Sequence, residues 1–342
     1  MDGALRSALD AAAPDREVRD VAATGPSWND DNETVRVTFA DDDDPSALFC
    51  KVALDGDGSR IARERAALAA VSAADRVPVP RVVAADPTAS VPYLLTAPVE
   101  GETLLDRGAD ADAATRRDLA RAVGRSLADL HDLYADSLDF HGEIRGVVRD
   151  GDGRVSGVDV RGDPWTDVLL ARIEWIRTAS PSDRFDDHFR RVAEVVAANR
   201  DRLDDAVAAL CHFDLAKPNC FVLDGDGDGG DGGDDPPTAG LLDWERACVG
   251  DPVRDLVRGL EQGFEPMRGD DEQRLGDAFL DGYREQVGGL PAGYEEREPI
   301  YRAVRHLGVS GYFENYVRFV DEDSAAFAEW TEAELDRRLA RV

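Results

Sequence analysis

The chain has 342 residues, 43% of them hydrophobic, so it can bury a sizeable core as one large domain or two smaller ones. Its 71 acidic and 40 basic residues give a formal net charge of -31, and the acidic residues are spread through the whole chain. This balance argues against a nucleic-acid or anionic-membrane partner, because both require concentrated lysine and arginine. We interpret the acidic surface as an adaptation to a salt-rich cytoplasm, where ions screen the repulsion between like charges.

The cysteines and the N-terminus indicate a cytoplasmic location. Cys50, Cys211, Cys220 and Cys248 lie far apart without a C-x-x-C spacing, which favours reduced thiols over a disulfide framework or a zinc site. The N-terminus has no basic start followed by an apolar stretch, and no uninterrupted apolar run approaches the length that spans a bilayer. We therefore expect a cytoplasmic protein.

The first ~100 residues alternate short β-like runs with turns. One helical stretch, near Ile61–Ala73, interrupts them. The pattern predicts a small, mostly antiparallel α+β unit with strands at Glu17–Ala23, Thr34–Ala40, Ala47–Leu54, Arg81–Ala85 and Tyr93–Ala97.

After Pro98 the pattern changes to long amphipathic stretches with helical spacing. We therefore predict an N-terminal lobe over residues 1–98 and a helical lobe over residues 99–342. The predicted helices include Ala114–Tyr134, Trp165–Thr178, Phe185–Ala209, Glu272–Gln286 and Pro299–Val320.

One β-like island, from Leu210 to Asp243, lies among these helices, and an Asp- and Gly-rich segment over residues 224–237 interrupts it. Hydrophobic strands on both sides of a loop predict a hairpin. The D-x-D-x-D-G spacing from Asp224 imitates the opening of a calcium loop. However, Asp235 occupies position twelve instead of glutamate, and strands flank the segment instead of helices. These departures argue against a calcium site.

The segment with the most chemical information, residues 211–222, contains the pattern H-x-D-x-x-x-x-N, formed by His212, Asp214 and Asn219. A phosphoryl-transfer site needs a carboxylate to accept the hydroxyl proton of the acceptor and a nearby oxygen donor that holds Mg²⁺. Asp214 and Asn219 supply these two groups. Asp243, at the end of an apolar strand, is then positioned to bridge Mg²⁺ to nucleotide phosphates.

These motifs resemble the aminoglycoside phosphotransferase and choline kinase family, relatives of the eukaryotic protein kinases. The catalytic loop of that family reads H-G-D-x-x-x-x-N, and its metal strand reads D-W-E followed by G-D-P-x-x-D-L. Asp243–Glu245 and Gly250–Leu256 are similar to the second pattern. The resemblance covers most of the chain and implies a bilobal α+β, protein-kinase-like fold. Its N-lobe would hold a small antiparallel sheet and one helix, and its larger C-lobe would be mainly helical.

The resemblance also implies a role for each matching residue. Asp214 would be the catalytic base, and His212 would brace its loop. The metal ligands would be Asn219 and Asp243. Phe213 stands where the family usually has glycine, and residues 216–218 form an unusual sequence for this loop. The local backbone or the acceptor pocket would therefore differ there. Two further carboxylates, Asp251 and Asp255, would be structural.

The N-terminal lobe of such an enzyme needs a strand lysine that clamps phosphates and a helix glutamate that holds this lysine. Lys51 and Glu64 match this requirement. Lys51 lies inside an apolar strand, and the only other lysine of the chain is Lys217. By resemblance, three residues of the nucleotide-covering loop would lie beside the phosphates, and two hinge residues would lie beside adenine. They are Gly25, Ser27 and Asn29 in the loop and Thr96 and Pro98 in the hinge.

We therefore predict an ATP- and Mg²⁺-dependent kinase that phosphorylates a hydroxyl group of a small molecule. Acidic residues of the C-terminal helices, Glu261, Glu265, Asp270 and Glu314, would favour a cationic acceptor such as an amino sugar or an amino alcohol. Two alternatives stay open: a nucleotide-binding regulatory pseudokinase, and an acidic Ca²⁺-binding interaction protein built around residues 224–235. The sequence leaves ATP versus GTP and the oligomeric state undecided.

Overall fold

The structure is a computed structural model that describes residues 3–24, 32–41, 44–223, 236–265, 267–268, 275–320 and 323–342. The chain begins with a helix, α1 (Gly3–Ala12), which the sequence analysis did not predict. Its apolar face buries Leu5 and Leu9 against the first sheet. The N-terminal part of the chain therefore contains one helix more than predicted. A short amphipathic stretch such as α1 gains its stability from packing on the sheet.

A five-stranded antiparallel sheet follows, with strand order β1-β2-β3-β5-β4. The five predicted strands and the predicted helix are confirmed to within two residues at each end. They are β1 (Val18–Ala23), β2 (Asn32–Phe39), β3 (Ala47–Ala53), α2 (Ser59–Ala74), β4 (Val82–Asp86) and β5 (Tyr93–Thr96). In the central strand β3, Lys51 is paired with Thr34 on one side and Leu94 on the other. This pairing fixes the position of Lys51.

The chain leaves this sheet after Thr96 and joins a second, three-stranded sheet through β6 (Glu102–Thr103), followed by α3 (Leu104–Ala109) and α4 (Ala113–Asp132). The side chain of Asp112 accepts a hydrogen bond from the Thr115 amide at 2.8 Å and so caps the start of α4. This cap explains why the predicted start of the helix lies within one residue of the observed one.

A hairpin of β7 (Gly142–Arg149) and β8 (Val155–Val160) follows, although only one β-like island was predicted in this lobe. The next elements are α5 (Trp165–Ala179), α6 (Asp186–Ala198), α7 (Arg200–Asp204) and β9 (Ala209–Cys211). The single helix predicted over Phe185–Ala209 is therefore wrong. The helix ends where the Asn199 side chain donates to the Val195 carbonyl at 2.9 Å, and β9 pairs with a later strand.

The predicted hairpin of the β-like island is confirmed. Its strands β10 (Cys220–Leu223) and β11 (Thr238–Leu241) pair in antiparallel fashion, and β10 also pairs with β6. The Asp- and Gly-rich residues 224–235 lie outside the described residues. The next strand, β12 (Cys248–Gly250), lies between β7 and β9 in a four-stranded sheet.

The rest of the described chain is helical. It contains α8 (Pro252–Gly259), a π-helical turn (Leu260–Phe264), α9 (Gly276–Val287), α10 (Tyr294–Gly311), α11 (Phe313–Val317) and α12 (Ser324–Leu339). The helix predicted over Pro299–Val320 is thus α10 and α11, divided at Tyr312. Among the described residues, no helix combines the length and the apolar character needed to cross a membrane.

Helices α4 and α9 form a close contact in the large core, at two glycines. A Cβ atom at Gly124 would lie 2.0 Å from the Phe279 carbonyl oxygen, and one at Gly282 would lie 2.1 Å from the Arg121 carbonyl oxygen. The two backbones therefore approach each other at positions that only glycine can occupy. This contact fixes α9 against the helix that follows the second sheet.

Buried His306 makes the stability of the helical part sensitive to acid. Its Nε2 atom is 2.8 Å from the Thr331 carbonyl oxygen, and burial, aided by the positive charge of Arg338, lowers the pKa of His306 to about 3. In the unfolded chain the same group titrates near pH 6.5. Below that pH His306 binds a proton in the unfolded state but not in the folded state. The unfolding free energy therefore falls as the pH drops from about 6.5 towards 3.

We therefore expect His306→Gln to reduce the acid sensitivity of the fold. Between roughly pH 7 and pH 5 the wild type should lose about 2 kcal/mol more of its unfolding free energy than the variant, as one proton taken up near pH 6.5 requires. Urea unfolding at the two pH values measures this difference. Equal losses in the two proteins would contradict the assignment of this proton to His306.

Candidate active site

Lys51 lies at the centre of a group of carboxylates. Its Nζ atom is 2.7 Å from Glu64 Oε2, 2.7 Å from Asp243 Oδ1 and 3.5 Å from Glu245 Oε2. Burial alone would lower the pKa of Lys51, but the charges of Asp243, Glu64 and Glu245 raise it well above its ordinary value. The lysine is therefore a fixed positive charge at the surface of the five-stranded sheet.

Asp243 reaches this group from the second sheet, two residues after β11 ends. Its backbone adopts a left-handed conformation with φ of 62°, which is uncommon for a residue other than glycine and marks functional sites. The backbone N–H of the next residue, Trp244, donates to Glu64 Oε1 at 3.2 Å. Glu64 thus holds both Lys51 and the turn that carries Asp243.

The residues around Asp243 fit a magnesium ion. Carboxylate oxygens of Glu64, Asp243 and Glu245 all lie within 4.8 Å of one another, and Mg²⁺ prefers oxygen ligands. Asn219 is tied to the same turn, because the Leu242 amide donates to its carbonyl oxygen at 2.8 Å. The Asn219 side chain donates through Nδ2 to the Asp214 carbonyl at 2.9 Å, so its amide oxygen is the atom that can ligate a cation.

Asp214 lies between two arginines. Arg258 donates to Asp214 Oδ1, and Arg246 Nε is 3.4 Å from Oδ2. Burial alone would raise the pKa of Asp214, but the positive charges of Arg246 and Arg258 lower it below its ordinary value. The carboxylate is therefore ionised at neutral pH.

His212 and Asp255 fix the loop that carries Asp214. The backbone N–H groups of His212 and Phe213 donate to the two oxygens of Asp255 at 2.7 and 2.9 Å. The His212 ring donates from Nε2 to the Leu242 carbonyl at 2.8 Å and accepts from the Asp214 amide at Nδ1, 3.2 Å away. This ring connects the Asp214 loop to the Asp243 turn by hydrogen bonds in both directions.

His212 and Asp255 are fully buried. The other charged and amide side chains described above open on one cleft of about 1870 Å³ between the five-stranded sheet and the helical part. Lys51, Asp214 and Asn219 line this cleft, as do Thr96 and Pro98 at the end of β5. The structure therefore brings together the residues that sequence analysis selected in both halves of the chain. The three loop residues Gly25, Ser27 and Asn29 lie outside the described residues.

Sequence comparison decides the family. Residues 23–300 match the phosphotransferase enzyme family. The chain belongs to this family. No curated protein sequence matches the chain at a significant level.

Solved structures show that this phosphotransferase has a bilobal, protein-kinase-like fold, as predicted. It is similar to a protein assigned as a fructosamine-3-kinase from Haemophilus somnus, with 15% identity, 98% of this chain and 96% of that chain covered, and a TM-score of 0.56. APH(2")-IIa, in a ternary complex with streptomycin and ATP, has 14% identity, the same coverage and a TM-score of 0.55. Plasmodium vivax ethanolamine kinase has 11% identity, 96% and 84% coverage, and a TM-score of 0.51.

Phe213 occupies the loop position where the resemblance leads one to expect glycine, and its backbone has the conformation that glycine favours. Its φ is 56°, in the left-handed region, which costs an ordinary residue about 1–2 kcal/mol. The two hydrogen bonds to Asp255 hold this conformation. The Phe213 ring stacks on Trp165, and the guanidinium of Arg254 lies 4.2 Å from its centroid. Phe213 thus adds an aromatic ring to the lining of the cleft.

Sequence analysis gave no role to Glu245, which lies near Lys51, or to Arg246 and Arg258, which contact Asp214. Glu245 is the third letter of the D-W-E motif, and Arg246 follows it directly, so the motif itself could have suggested both. Arg258 lies on α8 and contacts Asp214 across 44 residues of sequence. No local pattern indicates this contact, because only the packing of α8 brings the two residues together.

The acids expected to favour a cationic acceptor lie elsewhere. Among the described residues that line the cleft, none is Glu261, Glu265 or Glu314, and Asp270 lies outside the described residues. Arg302 pairs with Glu261 at 3.2 Å and with Glu265 at 2.9 Å. For Glu261 and Glu265 the expectation is therefore wrong, because their charges are used in ion pairs with Arg302. Glu314 instead accepts a hydrogen bond from Ser182 at 3.1 Å, and for Asp270 the expectation stays a prediction.

Proposed function

We propose that this protein transfers the γ-phosphoryl group of ATP to a hydroxyl group of a small acceptor molecule. One observation carries the proposal: Lys51 and Asp243, 192 residues apart in sequence, meet at 2.7 Å in the cleft that Asp214 also lines. A positive clamp, a carboxylate group fit for a cation and an ionised base are the parts that in-line phosphoryl transfer needs. The family assignment supports the same reaction class.

In this reaction the acceptor oxygen forms a bond to the γ-phosphorus, and the bond from that phosphorus to the bridging oxygen of ADP breaks. Asp214 orients the acceptor hydroxyl and takes its proton, and Lys51 stabilises charge on the nucleotide phosphates. His212 positions the Asp214 loop through its two hydrogen bonds. Thr96 and Pro98, at the end of β5, would lie beside adenine.

The residues that would hold Mg²⁺ are Asp243 and Asn219, with Glu245 as an additional carboxylate. When bound, the ion neutralises charge on the phosphates and aligns them for transfer. The chain itself supplies the positions of these oxygens. It does so by tying Asn219 to Leu242 through backbone hydrogen bonding and by holding the turn after Asp243 on Glu64.

We further propose that the nucleotide-binding lobe ends near residue 98 and that the enzyme acts in a salt-rich cytoplasm. The chain leaves the first sheet after Thr96 and joins the second at Glu102, which supports a lobe boundary between them. The formal charge of -31 supports function in concentrated salt, which screens repulsion. Assays should therefore be made in molar KCl as well as in dilute buffer.

The proposal is tested by calorimetric titration of ATP with and without Mg²⁺. Asp243→Asn should lower the Mg²⁺-dependent affinity for ATP at least about tenfold, because a cation ligand is lost. The matched control is Asp281→Asn on α9, whose side chain is exposed and pairs with Arg284 at 3.0 Å. Wild-type protein with ATP is then incubated with a library of small hydroxyl compounds, and phosphate transfer is measured.

Mg²⁺-dependent binding that Asp243→Asn weakens, together with transfer to an acceptor, establishes the kinase. Binding without transfer across the library would favour the alternative of a regulatory pseudokinase. The contact of Arg258 with Asp214 offers a physical reason for that alternative. An arginine bound to Asp214 would compete with the acceptor hydroxyl for the carboxylate. Absence of ATP binding in the wild type would overturn the proposed function.

A further inference from the structure

We propose that the acceptor is an anion: a small hydroxyl compound that carries a carboxylate or phosphate group, bound by arginines in the cleft. This inference rests on the proposed function, because it names the acceptor class of the same site. The arginines come from four parts of the fold, namely α5, the turn after Asp243, α8 and α10. They are Arg172, Arg246, Arg254, Arg258 and Arg305, and all of them line the cleft.

Two of these guanidinium groups are supported by aromatic rings. The Arg172 guanidinium carbon lies 4.0 Å from the centroid of the Trp175 ring, and that of Arg254 lies 4.2 Å from the centroid of Phe213. Stacking on a ring fixes the plane of a guanidinium group and leaves its N–H donors free at the edge. Arginines held in this way suit bidentate recognition of a carboxylate or a phosphate.

Within the part of the chain that the structure describes, no carboxylate forms an ion pair with Arg172, Arg254 or Arg305. Arg305 donates to the Gln262 side chain instead, and its Nε atom is buried without a hydrogen-bond partner. Arg302, one turn earlier on α10, pairs with three glutamates. These three arginines of the cleft thus keep their charges without a carboxylate partner among the described residues, whereas Arg246 and Arg258 share Asp214.

The mutual repulsion of these arginines supports a site for an anion. Burial, reinforced by the charges of Arg246 and Arg254, lowers the pKa of Arg172 well below its ordinary value. Burial also lowers the pKa of Arg258 to about 10, although Asp214 opposes this effect. An anion placed among these groups would relieve the repulsion. A cationic acceptor would add to it.

The positions of Arg254 and Arg258 on α8 also limit the size of the acceptor. Arg258 contacts the proposed base Asp214, and Arg254 lies four residues earlier, about 6 Å along the helix axis. The anionic group would therefore bind about one helical turn from the reacting hydroxyl. This spacing suits a hydroxy acid, a sugar acid or a sugar phosphate.

The experiment titrates sulfate, a small oxyanion probe, into protein saturated with Mg²⁺ and a non-hydrolysable ATP analogue, at constant ionic strength. Because the analogue already supplies the nucleotide phosphates, sulfate reports an anion site beyond them. We expect one sulfate per chain, with affinity lowered at least tenfold in Arg172→Gln and in Arg254→Gln. The matched control is Arg190→Gln, because Arg190 lies on α6 outside the cleft lining and pairs with Asp187 and Glu194.

Affinity for the ATP analogue should change less than twofold in each arginine variant, which separates this inference from the proposed function. Bound analogue without sulfate binding, or with equal sulfate binding in all variants, would overturn the anionic acceptor and leave the kinase in place. The library screen gives a second test with glucuronate, glucose and glucosamine, which share one ring and differ in charge. Phosphorylation of glucosamine with kcat/KM equal to or above that of glucuronate would also overturn it.

Discussion

Asp214→Asn should reduce kcat by about a thousandfold and leave the affinity for Mg²⁺ and ATP nearly unchanged, because a general base contributes a factor of this order. Asparagine keeps the size of the side chain and one oxygen that can accept a hydrogen bond from an arginine, but it is uncharged and cannot take the acceptor proton. The lowered pKa of Asp214 means that the wild-type carboxylate is ionised and can accept a hydrogen bond from the acceptor hydroxyl. Steady-state kinetics with the acceptor found by the library screen measures kcat, and calorimetry measures ATP affinity.

The control for this variant is Asp281→Asn, which makes the same chemical change at an exposed ion pair and should keep wild-type kcat. Thermal unfolding of both proteins checks that the loss of charge beside Arg246 and Arg258 leaves the fold intact. A folded Asp214→Asn protein with kcat within tenfold of the wild type would show that another group accepts the proton. The base would then have to be sought among other residues of the cleft.

Local sequence patterns predict the N-terminal sheet well because each strand meets its neighbours within a short stretch of chain. β3, for example, pairs with β2 and β5, and its buried residues Leu48, Cys50 and Val52 alternate with the partly exposed Phe49 and Lys51. Such a run is stable only as a central strand. The same reasoning selects Lys51, because a charge inside an apolar strand requires partners.

Elements whose bounds depend on contacts with distant parts of the chain are predicted poorly. The stretch from Phe185 to Ala209 has helical spacing throughout, yet Ala209–Cys211 is strand β9 because β12 pairs with it. Asp204 in the same stretch accepts a hydrogen bond from the Thr166 amide at 2.7 Å and helps to fix its end. Neither partner is near in sequence, so tertiary contacts override local propensity.

In the candidate site too, residues that belong to local motifs could be predicted, whereas residues brought together by distant packing could not. The motifs around Asp214 and Asp243 select the proposed catalytic loop and the proposed metal turn, because both resemble patterns of the family. The arginines of the cleft have no such motif. Arg172, Arg254 and Arg305 resemble any arginine of an amphipathic helix in sequence, and only the packing of α5, α8 and α10 places them around one cleft. For this reason the sequence analysis predicted the reaction class but did not select the arginines on which the proposed anionic acceptor rests.

The largest loss of stability is expected for Asp251→Ala. Asp251 is fully buried at the start of α8, where it caps the helix by accepting from the Val253 amide at 2.9 Å. It also accepts from Arg297 Nε at 2.6 Å and from the Tyr301 hydroxyl at 2.5 Å. Its removal leaves the buried Arg297 charge without its carboxylate, which costs about 3–5 kcal/mol of unfolding free energy. Urea unfolding at neutral pH measures the change, with Asp281→Ala as a control expected to lose less than about 1 kcal/mol.

A double-mutant cycle separates the ion pair from the helix cap. Because Asp251→Ala already removes the partner of Arg297, adding Arg297→Met should cost much less than Arg297→Met alone, and the coupling should exceed about 1 kcal/mol. The hydrogen bond to the Val253 amide is lost in the single Asp251 variant and in the double variant alike, so it cancels from the coupling. Additive losses would show that the cap and the Tyr301 hydroxyl, and not the charge of Arg297, account for the stability that Asp251 provides.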